Sequence, residues 1–171
     1  MCYCFLLIIE TQLWIRSSET LYIFRLFRDI INDMPIKIRE LSRAKCKIGY
    51  YNTNGVHLEP IEESTFKYLT LFGFNIETIV PTNIKKAHNP DILLSGTICE
   101  VKTPNTSNEA TIKKRFHKAS KQASAVVFDL RFIRKNTDKV EKQVIKLFKG
   151  NDGVRRLIII EKTGKVLDMI K

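Results

Sequence analysis

Between Asn89 and Lys102 the chain reads NPDILLSGTICEVK, and this stretch restricts the fold more than any other. A Pro-Asp pair opens a short apolar run, Ile92 to Leu94. Ser95-Gly96 then supplies two residues of turn chemistry before a second run, Thr97 to Val101. This pattern predicts a tight β-hairpin. Side chains alternate across a strand, so Glu100 and Lys102 are expected on one face and Cys99 and Val101 on the other. Asp91 then sits at the mouth of the partner strand. Two carboxylates and an ammonium held by rigid strands make a compact site for a hard divalent cation, which prefers oxygen ligands.

The elements around the hairpin follow from punctuation and period. Asn52 to Gly55, NTNG, marks a turn. Glu59-Pro60 opens a helix expected to run to about Phe72, with Ile61, Phe66, Leu69 and Phe72 as its apolar stripe and Gly73 at its left-handed C-terminal cap. Glu62 falls inside that stripe at about 100° per residue, whereas Glu63 points away. Phe74 to Val80 reads as a strand, and Pro81 to Asn89 as a loop carrying Lys85, Lys86 and His88. A helix is expected over about Glu109 to Ala123, on the line Ile112, Phe116, Ala119 and Ala123. AVVFDL, Ala125 to Leu130, reads as a buried central strand. One more helix, about Asp138 to Phe148, closes at Gly150, and a terminal hairpin from Arg156 to Asp168 turns at Thr163-Gly164. Together these predict a mixed sheet flanked by helices, an α/β fold.

The N-terminal part is less legible. Cys2 to Ile9 is apolar but too short to span a bilayer, and neither a basic n-region nor an A-x-A site marks a signal peptide. Ser17 or Ser18 can cap an amphipathic helix that Pro35 ends after Met34. Lys37 to Lys47 carries five cations against Glu40 and reads as a boundary. The expected division is therefore an N-terminal helical and basic extension, residues 1–58, ahead of a domain over 59–171.

Composition sets the partner class. The 171 residues are 44% hydrophobic, enough for a core, and 29 Lys and Arg against 18 Asp and Glu give a net charge of +11. Such an excess points to a polyanionic partner, and nucleic acid and an anionic membrane surface both qualify. Four cysteines at 2, 4, 46 and 99 form no CxxC pair, which argues against a zinc site or a disulfide framework. The positive charge concentrates on the helix after the hairpin. Lys113, Lys114, His117, Lys118 and Lys121 cover its outer face, Arg115, Lys118 and Gln122 run along one flank, and no acidic residue occurs from Ala110 to Ser124. A solvated helix would explain the pattern; contact with successive phosphates explains it better.

Asp91 followed by Glu100-Val101-Lys102 resembles the PD-(D/E)xK signature of the restriction-endonuclease-like nucleases. The resemblance implies that Asp91 and Glu100, with the Val101 carbonyl and Glu62, hold a divalent metal, usually Mg²⁺, and that Lys102 orients the attacking water. EESTFKYLTLFG is similar to the family's E-x6-L-x3-G pattern with Glu62 in the acidic place; a charge complementing the helix dipole is the competing reading of Glu62. Gln122 and Lys118 match the place where the family carries a Gln or Lys near its active centre.

From Glu62 to Lys171 the layout also looks like the C-terminal toxin domains of contact-dependent growth inhibition systems, on the stretch from Asn89 through KASKQASAVVFDLR to IIIEKTGKVLD. That likeness implies cleavage of RNA, commonly tRNA, inside a target cell, delivery from outside, and a cognate immunity protein as partner. The chain departs from the toxin pattern in showing no long delivery region. Two alternatives share the residues: a DNA endonuclease of the same fold, and a non-catalytic nucleic-acid-binding protein of a mobile element. Docking of the basic faces on an acidic protein is a third.

Overall fold

The computed structural model describes residues 35–82 and 89–171. The apolar Cys2 to Ile9, the helix expected to end at Met34, and Lys85, Lys86 and His88 lie outside the described residues. Among the described residues, eight strands and three α-helices follow in chain order: β1 (Lys37–Leu41), β2 (Tyr51–Asn52), α1 (Pro60–Thr70), β3 (Ile76–Thr78), β4 (Ile92–Leu94), β5 (Thr97–Lys102), α2 (Glu109–Ser120), β6 (Ala125–Asp129), α3 (Thr137–Lys149), β7 (Arg156–Ile160) and β8 (Val166–Ile170). They form one mixed sheet in the order β1-β8-β7-β6-β5-β4-β3-β2. The pairs β2/β3, β5/β6 and β6/β7 are parallel and the rest antiparallel.

Period-two alternation divides the core between the two faces. Phe66 and Leu69 of α1 pack with Ile92, Leu94, Cys99, Val101, Val127 and Ile158 on one face. On the other, α2 and α3 supply Ile112, Phe116, Val140, Val144 and Phe148 against Val126, Phe128, Leu157 and Ile159. Every residue of β6 is buried, as a parallel central strand with both faces covered requires. α2 is capped by Asn108, whose side chain accepts from the Thr111 N–H at 3.0 Å.

Two expectations are corrected. The run Lys37 to Lys47 is not a boundary: its first half is β1, an edge strand paired along its whole length with β8, and β2 adds the opposite edge. One compact unit runs from Ile36 to Lys171. Its charge is what an exposed edge strand carries to discourage further pairing. Arg39 also reaches the buried Asp168 at 2.8 Å, and Arg156 grips the same carboxylate through two bonds, at 2.8 and 3.0 Å. The second correction concerns α1. Ile61 is exposed, and Thr65 takes the core position. Thr65 Oγ1 donates to Asp129 Oδ2 at 2.7 Å, while Arg131 binds that buried carboxylate through Nε at 3.0 Å and a terminal nitrogen at 2.7 Å. A polar network therefore joins α1 to the end of β6, where a purely apolar stripe is the simpler expectation.

Gly49, just before β2, lies against the backbone entering β3. A Cβ there would stand 2.1 Å from the Phe74 carbonyl oxygen, and backbone cannot move aside as a side-chain tip can. Gly49→Ala is expected to destabilise the fold by about 1–3 kcal/mol. Thermal unfolding checks this, and an unchanged midpoint would show that the β2 edge adapts freely.

Candidate active site

The hairpin is built as its turn dictates. Leu94 pairs with Thr97, leaving Ser95 and Gly96 as the two-residue connection, with φ of +48° and +82°. Positive φ at both central residues is the type I′ geometry whose twist matches paired strands. Register then places Asp91 just ahead of Ile92, which pairs with Cys99. Cys99 and Val101 enter the α1 face of the core, as alternation predicts. Glu100 and Lys102 emerge on the α2 face.

The three charged groups meet. Asp91 Oδ2 accepts the Val101 N–H at 2.7 Å and lies 3.9 Å from Lys102 Nζ. Lys102 Nζ also donates to Glu100 Oε1 and, at 3.1 Å, to the Val101 carbonyl. Glu100 is 1% exposed, and its Oε2 is buried with no hydrogen-bond partner among the described residues. Burial raises the Glu100 pKa to about 7; the Asp91 charge adds to the rise, and the Lys102 hydrogen bond opposes it. The donor set of two carboxylates and a carbonyl is all oxygen and carries one spare buried lone-pair atom, so it fits a hard divalent cation.

Glu62 stands apart from this arrangement. It is half-buried on α1, and no third Asp, Glu, His or Cys completes a metal-holding cluster with Asp91 and Glu100 among the described residues.

The basic helix resolves into two sides. Lys113, Lys114, Lys118 and Lys121 are exposed. Arg115 and Gln122 instead turn toward the hairpin. The Arg115 guanidinium reaches the Thr103 carbonyl at 3.5 Å, and Gln122 Nε2 donates to the Asn89 carbonyl at 3.2 Å, with Gln122 Oε1 buried and unpartnered among the described residues. Gln122 thus braces the segment leading into Asp91, a different position from a surface phosphate contact. Asn89 itself escaped the sequence reading as a functional residue. Its side chain makes three hydrogen bonds to Thr82, at 3.0 to 3.2 Å, tying residues 82 and 89 together beside the site. The Asn-Pro dipeptide signals a turn but gives no hint of that partner.

Residues 87–166 match the family model of the contact-dependent growth inhibition CdiA C-terminal domain. The matched segment contains Asp91, Glu100, Lys102 and all of α2, while α1 with Glu62 lies ahead of it. The structure is also similar to a chain of the CdiA-CT/CdiI toxin and immunity complex from Burkholderia pseudomallei, with a TM-score of 0.54 at 20% identity, over 71% of this chain and all of that one. At that identity the likeness is one of fold. No curated protein matches the chain. Across the described residues, no helix is long and apolar enough to cross a membrane.

Proposed function

We propose that this chain is a metal-dependent phosphodiesterase of the restriction-endonuclease-like, PD-(D/E)xK kind that cleaves RNA, with tRNA as the favoured substrate. The observation that carries the reading is the convergence of Asp91 and Glu100 on the Lys102 ammonium, with the second Glu100 oxygen buried and without a partner among the described residues. The match to the CdiA C-terminal model supports a toxin-type nuclease delivered into a target cell. The toxin and immunity complex with a similar fold supports a cognate immunity protein as partner.

In the mechanism, Asp91, Glu100 and the Val101 carbonyl would hold the cation, and Glu62, on the α1 side of the sheet, stays outside this set. A divalent cation such as Mg²⁺, if held there, would supply positive charge to the transition state and make water more acidic. The remaining work belongs to side chains of the chain itself. Lys102, held between both carboxylates, orients the attacking water or donates to the developing negative oxygen. Gln122 and the Asn89–Thr82 clamp keep Asp91 in register. The exposed Lys113, Lys114, Lys118 and Lys121, with Arg115 nearer the site, contact neighbouring phosphates.

Incubating the protein with total tRNA and with plasmid DNA, each with Mg²⁺ and with excess EDTA, tests the reading. The expected result is tRNA cleavage that stops in EDTA and returns when Mg²⁺ exceeds the chelator. Activity surviving EDTA would remove the metal, plasmid cleavage alone would move the substrate to DNA, and inert incubation of both would overturn the proposal.

A further inference from the structure

The positive surface does not end at α2. α3 packs beside α2 on the same sheet face, joined by the Gln143 Nε2 bond to the Glu109 carbonyl at 2.7 Å. Its Val140, Val144 and Phe148 are buried in the core. At about 100° per residue, Lys142, Lys146 and Lys149 gather on the opposite side, and all three are exposed. None of them has an ion-pair partner among the described residues, and neither does Lys114 or Lys118 of α2. The neighbouring Lys139, by contrast, lies 3.8 Å from Glu109.

The dimensions and chemistry of this layer select its ligand. Helices of 12 and 13 residues are about 18–20 Å long, and packed axes lie about 8–10 Å apart. The outer layer is therefore roughly as wide as a double helix, and it crosses both helices instead of following a groove. Its Phe residues face inward: Phe116 and Phe148 are fully buried, neither helix has a Tyr or Trp, and the one exposed ring of the two helices is the imidazole of His117. A surface that binds single strands needs aromatic platforms for unstacked bases. A cationic layer without them reads backbone charge, which is densest on a duplex, at one charge per about 1.7 Å of axis for DNA.

Resting on the RNA reading above, we infer that α2 and α3 together form a docking surface for a double-helical RNA stem, with α3 holding the stem while the strand crossing α2 enters the site. Recognition is by shape and phosphate charge, so the sequence of the stem does not matter.

The test compares the full chain with the triple variant Lys142→Gln, Lys146→Gln, Lys149→Gln, none of which belongs to the site, in EDTA so that nothing is cleaved. Binding is read by fluorescence anisotropy over a salt series, with a 16-base-pair RNA duplex, the same duplex as DNA, and one of its single strands. The duplex RNA is expected to bind more tightly than the single strand. The variant should lose about tenfold in duplex affinity, with the slope of log K against log salt shallower by about 2 to 3. An equal unfolding midpoint would show that the variant folds. Unchanged duplex affinity and slope in the variant would overturn the inference, as would equal affinity for single strand and duplex, or tighter binding of the DNA duplex. Each of these leaves the cleavage assay above untouched. Absence of binding to all three probes by the unmodified chain would instead remove the nucleic-acid reading on which the inference rests.

Discussion

Asp91→Asn and Lys102→Met are each expected to lower the cleavage rate by at least 10²–10³-fold, about what a single preorganised electrostatic contact contributes to a transition state. Asparagine at 91 keeps an oxygen for the Val101 N–H, so the hairpin mouth stays closed while the charge is lost. Methionine at 102 preserves the aliphatic stem beneath α2 and removes only the ammonium. Neither residue belongs to the exposed lysine layer, so RNA affinity measured in EDTA should stay close to that of the unmodified chain. A rate within tenfold of wild type for either variant would show that the trio is a structural ion cluster. Equal losses of rate and affinity would show that it binds substrate without acting on it.

Glu100→Gln is expected to change how stability depends on pH, because burial makes the Glu100 carboxyl resist ionisation. Its pKa is raised on folding from 4.5 to about 7, chiefly by burial. A carboxyl raised in this way favours the folded state while protonated. That contribution is complete below pH 4.5 and is lost as pH rises through 7. The shift corresponds to about 3 kcal/mol at 1.36 kcal/mol per unit. In metal-free buffer the unmodified chain should therefore lose about 3 kcal/mol relative to the glutamine variant between pH 4.5 and pH 8, as read by denaturant midpoints. Parallel profiles would mean that Glu100 does not titrate in that window. Added Mg²⁺ should restore the unmodified chain at pH 8 and stabilise the variant less, since the variant keeps the Asp91 carboxylate and loses that of Glu100. The same variant should be inactive.

The two outcomes share one physical cause. A carboxylate that is buried, bonded to Lys102 through one oxygen and unpartnered at the other is costly to ionise alone. On the proposed reading a cation at this carboxylate offsets that cost, so the loss in stability accompanies the chemistry.

Local chemistry determined the hairpin, the order of the later elements and the charged trio. Ser95-Gly96 leaves a two-residue turn as the simplest connection, and a two-residue turn fixes register. Once register is fixed, strand alternation sends Glu100 and Lys102 to one face without reference to anything distant. The helices at Pro60, Glu109 and Thr137 follow from caps and apolar period for the same reason. Tertiary structure alone decided what the sequence spacing could not express. Lys37 to Leu41 forms the far edge of the sheet by pairing with β8, where Arg39 meets Asp168, 129 residues away, and Thr65 in the core donates to Asp129, 64 residues on, while Ile61 is exposed. Gln122 turned inward to brace Asn89, 33 residues earlier. In each case a polar contact joins positions far apart in the chain, and its partner is chosen by the folded geometry, which local propensity does not encode.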